Sequence, residues 1–351
     1  MLIAYIFCFL ITLAYVVLMV IYARGWQLQK AFIIPEPYLP KTFISIIIPA
    51  RNEEANIRNC IESILRQNYA SHLFEVIVVD DFSEDKTADI VRSYKNVVYL
   101  QLNEVDRSHK KQAISLGIAN SKGALIVTID ADCTAPSNWL RNIASKYEAE
   151  HPVMIVAPVS YDCNSSILQI FQSLDFMSMQ GITAAAHRLQ LGNMSNGANL
   201  AFSKEAFYAV NGYEGIDHLA SGDDYLLMMK MQQKFLGKVS YIKSLGTIVH
   251  TLPQTTWWLL LQQRIRWASK SGKYNDARLT AILLLVYVFN MSFLMIGIVA
   301  LHDSFLWTVL LLMLSCKIVI ELFFLFPVTA FFNKKKQLWI FAFAAYKPVR
   351  L

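Results

Sequence analysis

The chain has 351 residues, 55% of them apolar, and its mean hydropathy is +0.37, which is too apolar for an ordinary soluble protein and leaves room for a globular domain with membrane segments. The net charge of +6 is modest, so basic clusters favour an anionic membrane face over nucleic acid as a partner. The five cysteines include no C-x-x-C pair, so neither a zinc knuckle nor a disulfide framework is indicated.

The first element covers residues 2–23, an apolar run in which Thr12 is the one clearly polar side chain. Because a helix rises about 1.5 Å per residue, the run is long enough to cross a bilayer. No basic residue precedes it and it exceeds a normal signal-peptide core, so we expect an uncleaved anchor. Arg24, Lys30 and Lys41 follow the run and place the next segment in the cytosol.

Strands and helices alternate after this anchor. Predicted strands cover residues 43–48, 74–80, 97–102, 124–130 and 153–159, the first ending at Pro49, and predicted helices cover residues 54–66, 85–94, 110–120 and 139–148. Ser83 or Asp85 is the expected cap of the second helix. The alternation predicts an α/β domain with a parallel sheet and helices on both faces. The sequence contains no P-loop and no G-x-G-x-x-G pattern, so phosphate would be held by other means.

The alternation fails after residue 159. We expect helices at 167–187 and 224–234, and a polar loop that enters a short strand at 192–202. A further predicted helix, 255–270, combines tryptophans and leucines with basic residues, a pattern typical of a helix in the membrane interface.

Two further apolar spans, 279–301 and 305–332, are joined by three residues and therefore form an antiparallel membrane hairpin. A run of three lysines at 334–336 marks the cytosolic end of the hairpin, in agreement with the first span. Residues 338–346 are apolar but too short to cross. The expected domains are a membrane anchor at 1–23, a linker at 24–42, an α/β domain at 43–250, an interfacial helix at 251–278, a hairpin at 279–332 and a cytosolic basic tail with a short apolar segment at 333–351.

Two charged residues, Lys317 and Glu321, lie four positions apart within the last span. An ion pair on one helix face is the favoured interpretation. The alternative is a polar contact to a lipid or a partner helix.

Two carboxylates, Asp130 and Asp132, follow the predicted strand at 124–130. If the strand continues, both point to the same side, at the edge where parallel sheets bind their ligands. Paired carboxylates suit Mg2+ or Mn2+ completed by a diphosphate. The alternative is a solvated acidic loop.

Four other stretches join this pair, namely 49–54 (PARNEE), 79–87 (VDDFSEDKT), 221–224 (SGDD) and 263–267 (QRIRW). Together and in this order they resemble the family 2 glycosyltransferases, which are inverting, nucleotide-sugar dependent enzymes with a GT-A fold, a mixed and mostly parallel sheet. The resemblance covers residues 43–275. The last two stretches are similar to those of the membrane-bound hyaluronan and chitin synthase branch.

The resemblance implies a role for each residue of the donor site. It makes Asp132 the metal ligand and Asp130 a contact to the nucleotide or the metal shell. Asp81 matches the acid that accepts the uracil N–H, while Asp80 points the other way if the strand persists. Lys110 matches a basic position near the diphosphate, with Lys111 as the alternative in register.

The same resemblance places other residues around the donor. Ala50, Asn52 and Glu53 would flank the uridine. A late histidine serves as a metal ligand in some GT-A enzymes, and His250 is the candidate here, with a structural histidine as the alternative.

The acceptor side is assigned in the same way. Asp224 matches the general base that removes the proton of the acceptor hydroxyl, and Asp223 is the second candidate, with helix capping as its other interpretation. The residues Gln263, Arg266 and Trp267 match the Q-x-x-R-W motif, which closes over the diphosphate and the acceptor end. Asn196, Gly197 and Asn199 are expected to line the acceptor pocket, with turn chemistry as the alternative.

The expected function is transfer from a nucleotide-sugar, a UDP-sugar by resemblance, to a lipid or lipid-linked glycan. Transfer would be metal dependent and non-processive, on the cytosolic side of a bacterial inner membrane, with no nucleic-acid partner. The alternatives are a processive polysaccharide synthase acting as an oligomer, an inactive membrane-tethered nucleotide-sugar binding module, and a nucleotidyltransferase.

Overall fold

The computed structural model describes residues 2–103, 109–163, 166–191, 194–217, 219, 222–268 and 276–344. Ser221 of the predicted acidic motif and the end of the 338–346 segment lie outside these residues. The helices are α1 (Leu2–Leu28), α2 (Ile57–Leu65), α3 (Thr87–Arg92), α4 (His109–Ala119), α5 (Trp139–Glu150), α6 (Ile167–Leu189), α7 (Lys204–Ala209), α8 (Tyr225–Lys234), α9 (Trp257–Ala268), α10 (Ala277–Val299), α11 (Phe305–Phe331) and α12 (Lys335–Ala344). The strands are β1 (Ile44–Ala50), β2 (Phe74–Asp80), β3 (Val97–Gln101), β4 (Leu125–Thr128), β5 (Met154–Val156), β6 (Val159–Tyr161), β7 (Leu200–Ser203), β8 (Val239–Tyr241) and β9 (Val249–Thr251).

The main sheet of the described chain has seven strands in the order β3-β2-β1-β4-β7-β5-β8. Parallel pairing joins β3, β2, β1 and β4, and it also joins β5 to β8. β7 runs antiparallel to both β4 and β5, while β6 and β9 form a separate parallel pair. The predicted mixed, mostly parallel sheet is confirmed.

β1 lies inside the sheet, between β2 and β4, which explains its composition. Ile46, Ile47 and Ile48 are fully buried, as expected of a parallel strand covered on both faces. β-Branched side chains suit this pleated environment. Burying each one stabilises the fold by roughly 1.5–3 kcal/mol.

The prediction that β1 ends at Pro49 is wrong, because the strand continues to Ala50. Pairing of β1 with β4 stops at Ile47 and Thr128, whereas pairing with β2 continues through Pro49 and Ala50. Proline lacks an N–H, and here the missing donor falls where β1 has only one neighbouring strand.

The strand expected at 124–130 is shorter than predicted, since β4 ends at Thr128. The amide N–H of Cys133 then donates to the carbonyl of Asp130 at 3.1 Å. Asp130 and Asp132 therefore lie on a turn, and strand alternation does not set their directions. They still follow the carboxyl end of a central strand.

The strand expected at 153–159 divides into β5 and β6, which belong to different sheets. Pro158 lies at the break and cannot donate to a ladder. Its carbonyl instead accepts the N–H of Val249, at 3.1 Å, and so leads the chain into the β6–β9 pair.

Contacts divide the chain into two compact units. The sheet unit consists of residues 30–165 and 194–254, and the helical unit of residues 1–29, 166–193 and 255–351. In the helical unit α1 packs against α6, α10 and α11, and α6 also packs against α11 and α12. The α6 helix, predicted within the α/β domain, is thus part of the helical unit.

Three helices of the described chain are long and apolar enough to cross a membrane, over Ala4–Leu28, Ala277–Val299 and Phe305–Phe331. Gly181 of α6 lets α11 approach closely, because an added Cβ would lie 2.7 Å from a methyl group of Val328. Lys317 and Glu321 form the expected ion pair within α11. Glu321 also accepts the hydroxyl of Tyr15 on α1, at 2.5 Å, so the pair contacts a partner helix as well.

Candidate active site

The loops that follow β1 and β2 are joined by hydrogen bonds from backbone N–H groups. The N–H of Asn52 donates to Ser83 Oγ at 3.0 Å, and the N–H of Glu53 donates to Thr87 Oγ1 at 2.8 Å. The N–H of Glu54 donates to the Asp85 carboxylate at 3.0 Å. The α2 helix begins at Ile57, not at residue 54 as predicted. The loops hold the predicted uridine-flanking residues in place.

Asp80 and Asp81 have different surroundings at the end of β2. Asp80 is buried and its carboxylate accepts the hydroxyl of Tyr99 at 3.1 Å. The Asp81 carboxylate lies 3.7 Å from the guanidinium of Arg51, and its N–H donates to the carbonyl of Ala50 at 2.8 Å. Asp80 is thus engaged with β3, while Asp81 faces the loop after β1, which favours Asp81 as the base-recognising acid.

Lys110 brings together two acids that are distant in sequence. Its ammonium lies 2.6 Å from a carboxylate oxygen of Asp130 and 3.3 Å from one of Asp223. Burial alone would lower the pKa of Lys110, but the charges of Asp130 and Asp223 outweigh it and raise that pKa well above its usual value. The ammonium of Lys111 instead donates to the carbonyls of Ile216 and Leu219, at 2.6 and 2.7 Å. The geometry therefore favours Lys110 over Lys111.

Asp132 lies beside β9. Its carboxylate accepts the hydroxyl of Thr251 at 3.3 Å and the thiol of Cys133 at 3.3 Å. Burial and the charge of Asp130 raise the pKa of Asp132. Burial also raises the pKa of Glu53, with Asp132 and Asp130 adding to the effect. The carboxylates of Glu53, Asp130 and Asp132 are thus close enough for their negative charges to repel one another.

These carboxylates fit a divalent cation of the Mg2+ or Mn2+ type. Among the residues that the structure describes, no group of three or more His, Cys, Asp or Glu side chains is arranged to hold a metal by itself. Mg2+ is commonly held by one or two carboxylates together with substrate phosphates, not by an all-protein cage. Asp130 and Asp132 match that incomplete ligand set.

His250 does not join this set. Its Nδ1 lies 2.7 Å from the carboxylate of Asp162. Adjacent residues of a strand point to opposite sides, and the neighbouring Thr251 contacts Asp132. The arrangement thus favours a structural role for His250. Thr251 itself was missed by sequence reasoning, because a lone threonine in a three-residue strand carries no local signal.

Asp224 begins α8 and is held by backbone donors. One carboxylate oxygen accepts the N–H of Gly197 at 3.0 Å and the other accepts the N–H of Tyr225 at 2.7 Å. Gly197 also lies close to Asp223, because a Cβ added to it would be 2.9 Å from the Asp223 carboxylate. A glycine is needed where these groups meet.

The other two predicted acceptor residues serve the fold. Asn199 is fully buried, its carbonyl oxygen accepts the indole N–H of Trp139 at 2.9 Å, and its amide donates to the carbonyls of Pro158 and Thr247. Asn199 therefore does not line a pocket, contrary to expectation. The side chain of Asn196 accepts the N–H of Ala198 at 3.0 Å, which supports the turn interpretation.

The predicted motif residues Gln263, Arg266 and Trp267 all lie on α9, in the helical unit. Gln263 and Trp267 are half-buried and Arg266 is exposed. At the start of the same helix Trp257 and Trp258 are also exposed, as expected of an interfacial helix.

Comparison with known proteins finds similarity over part of the chain. Residues 45–208 match the model of the family described as Glycosyl transferase family 2. Glycosyltransferase AglE of Haloferax volcanii is 28% identical over 186 residues, which are 52% of this chain and 59% of that protein. A dolichyl N-acetyl-α-D-glucosaminyl phosphate 3-β-D-2,3-diacetamido-2,3-dideoxy-β-D-glucuronosyltransferase of Methanococcus voltae is 24% identical over 178 residues, 48% of this chain and 50% of that protein. The chain thus spans little more than half the length of these relatives.

A solved structure resembles the chain over nearly its whole length. The mannosyltransferase PcManGT of Pyrobaculum calidifontis, in complex with GDP-Man and Mn2+, aligns with a TM-score of 0.57 at 17% sequence identity. The alignment covers 97% of this chain and 96% of that one. At this identity the likeness establishes the fold.

Proposed function

We propose that this chain, whose residues 45–208 match the Glycosyl transferase family 2 model, moves a sugar from a nucleotide-sugar to a lipid or lipid-linked glycan. The observation that carries the proposal is the position of Lys110, which contacts both Asp130 and Asp223. Asp130 belongs to the predicted donor site and Asp223 to the predicted acceptor site. One ammonium therefore links the two halves of the expected reaction centre.

The donor is a UDP-sugar in this proposal. Asp81 lies beside the interlocked loops that carry Ala50, Asn52 and Glu53, so a flat base could be bound there and recognised by a carboxylate that accepts its N–H. The position of Lys110 suits the diphosphate, whose negative charge its ammonium would offset. PcManGT was solved with GDP-Man, so a GDP-sugar is the donor against which the UDP assignment must be tested.

A divalent cation would be held by Asp132 and Asp130. When bound, it would stabilise the charge of the departing diphosphate. The Asp130 carboxylate pairs with Lys110, so this residue would contact both the cation and the lysine.

Transfer proceeds as a single displacement with inversion. The acceptor oxygen attacks the anomeric carbon, its proton passes to a carboxylate, and the bond to the diphosphate breaks with the electron pair leaving on the nucleotide. Asp224 is the base in this scheme, because Asp223 is paired with Lys110. The N–H groups of Gly197 and Tyr225 fix the orientation of the Asp224 carboxylate, as a general base requires.

The acceptor is embedded in the membrane. The M. voltae relative is named for a dolichyl-phosphate-linked sugar, and another relative is named β-monoglucosyldiacylglycerol synthase. Three candidate membrane spans and the exposed tryptophans of α9 support an acceptor at the lipid surface. A bacterial inner membrane remains the proposed location.

Transfer is non-processive in this proposal. The last two motifs are similar to those of hyaluronan and chitin synthases, which extrude a polymer. A polymer channel needs a polar lining sealed from lipid, and the three candidate spans of the described chain would provide it only by association of several copies.

The test is nucleotide release by the full-length protein in lipid nanodiscs, with UDP- and GDP-sugars, in the presence and absence of a bacterial lipid extract. The proposal predicts that a UDP-sugar is consumed and that the extract accelerates release. Donor binding without any release would indicate a binding module. Consumption of the UDP-sugar only after pyrophosphate is added, with UTP and a sugar 1-phosphate as products, would instead indicate a nucleotidyltransferase.

A further inference from the structure

The α9 helix turns one side inward within the helical unit. Leu260 is buried, and Gln263, Arg264 and Trp267 are half-buried, while Arg266 is exposed. The inward positions follow the spacing i, i+3, i+4 and i+7, which forms one stripe of a helix. Within the Q-x-x-R-W motif, Trp267 thus lies on the inward stripe, whereas Arg266 is exposed.

Arg264 is the centre of the inward contacts, although it occupies a variable position of the motif. Its guanidinium forms an ion pair with Asp175 of α6 and donates to the sulfur of Met179 at 3.5 Å. The same guanidinium lies 4.5 Å from the ring centroid of Trp267, within the range of a cation–π interaction. The ring of Trp267 also contacts that of Phe176, with centroids 6.3 Å apart.

Asp175 is a charged residue on an otherwise largely apolar helix. Burial raises its pKa and the charge of Arg264 lowers it in turn. The Asp175 side chain is half-buried, with 41% of its surface exposed, and Arg264 pairs with its carboxylate. The ion pair between Asp175 and Arg264 therefore links α6 to α9.

We propose that Asp175 is a positioning residue, which acts through Arg264 to fix the orientation of Trp267, the motif residue to which the resemblance assigns the acceptor end. This inference rests on the proposed function, because it assigns Trp267 a part in transfer. Asp175 belongs to none of the five motif stretches. An ion pair that only docked two helices would contribute to stability without affecting the reaction rate.

The experiment compares Asp175→Asn, Arg264→Met and their double variant with the wild type, as full-length proteins in nanodiscs. Asp175→Glu retains the charge and is the conservative variant. Glu36→Gln is the matched control, because Arg141 pairs with Glu36 at 2.8 Å and lies 5.4 Å from the ring of Tyr38. That control removes the same kind of contact in the sheet unit.

Two readouts are taken. Hydrogen–deuterium exchange of residues 257–268 reports the docking of α9 without any need for activity. Nucleotide release, with the best donor of the UDP- and GDP-sugar panel and lipid extract as acceptor, reports transfer, and the melting temperature and donor affinity are measured beside it.

We expect Asp175→Asn to increase exchange in α9 and to slow nucleotide release by roughly ten- to a hundredfold, the scale on which a small misplacement slows a positioned reaction. Melting temperature and donor affinity should change little. The double variant should be no slower than the slower single variant, because both substitutions remove the same ion pair. Asp175→Glu should recover most of the rate, and Glu36→Gln should match the wild type.

Unchanged exchange in α9 would overturn the inference whatever the activity. Increased exchange with undiminished nucleotide release would also overturn it, because α9 docking would then not matter for transfer. A wild type that releases no nucleotide would refute the proposed function itself, a result that the variants do not influence.

Discussion

At the scale of single residues, the two neighbouring acids at the start of α8 have different surroundings. The Asp223 carboxylate pairs with Lys110, and Asp224 is oriented by two backbone N–H groups. The Lys110 ammonium beside Asp223 favours Asp224 as the proposed base. We therefore propose different roles for these two adjacent residues.

Replacing Asp224 with asparagine should therefore remove catalysis. We expect Asp224→Asn to slow transfer by roughly a hundredfold or more, the usual scale for loss of a general base, with donor affinity unchanged. The measurement is nucleotide release under single-turnover conditions beside donor titration. An inactive Asp223→Asn together with an active Asp224→Asn would reverse the assignment.

The second residue-scale prediction concerns the metal. Asp132→Asn should abolish transfer supported by Mn2+ or Mg2+, because an amide is a poorer ligand for a hard cation than a carboxylate. Excess EDTA should inhibit the wild type, and added Mn2+ should restore it. His250→Ala is the comparison, since its ring contacts Asp162, and it should retain metal-dependent turnover. Normal wild-type turnover in EDTA would contradict the metal role.

At the scale of elements, the donor site depends on how two loops interlock. Asp85 accepts the N–H of Thr87, at the start of α3, at 2.9 Å and the N–H of Glu54 at 3.0 Å. Burial raises the pKa of Asp85, but the hydrogen bonds from Thr87 and Glu54 outweigh it and lower that pKa overall. The ionised form is therefore favoured in the folded state.

Asp85→Ala should destabilise this element. The N-cap of α3 is Lys86, not Ser83 or Asp85 as expected. Asp85→Ala removes the acceptor of two backbone N–H groups, each hydrogen bond being worth about 1 kcal/mol of unfolding free energy, and donor affinity should fall because the loops separate. Asp85→Asn should have an intermediate effect, since one acceptor oxygen replaces the two that receive the N–H groups of Thr87 and Glu54. In the wild type this stabilisation is present above the ordinary aspartate pKa and is lost as the pH falls through the lowered one. Chemical unfolding and donor titration of the Asp85→Ala and Asp85→Asn variants test this prediction. Equal effects of the two substitutions would contradict it.

The types of most elements could be predicted from sequence, but several ends could not. The apolar run of β1 is a strong local signal, whereas its continuation through Pro49 depends on β4 stopping at Thr128. The acids Asp130 and Asp132 were found from their motif, but their turn geometry was not. Asn199 was misread because the hydrogen bonds that bury it come from residues far away in sequence, such as Trp139.

At the scale of the whole molecule, the chain combines a sheet unit with a helical unit that contains three candidate membrane spans. The basic residues after the first span and after the last one imply the same side of the membrane. We therefore propose that the sheet unit is cytosolic and that the link between α10 and α11 is outside.

Cysteine labelling tests this topology in a variant from which the five native cysteines have been removed. We expect Ser304→Cys, at the start of α11, to react with a membrane-impermeant thiol reagent in intact cells. Ser83→Cys, in the sheet unit, should react only after the cells are opened. Labelling of Ser83→Cys but not of Ser304→Cys in intact cells would indicate the opposite topology.

The central claim, transfer of one or a few sugars to a membrane-embedded acceptor, is tested most directly by mass spectrometry of the products. The full-length protein is incubated with UDP-sugars and a bacterial lipid extract, and the lipid and aqueous phases are analysed separately. The account predicts lipids heavier by one or a few sugar units in the wild type and none with Asp224→Asn. A ladder of long, water-soluble polysaccharide with no such glycolipid would contradict it.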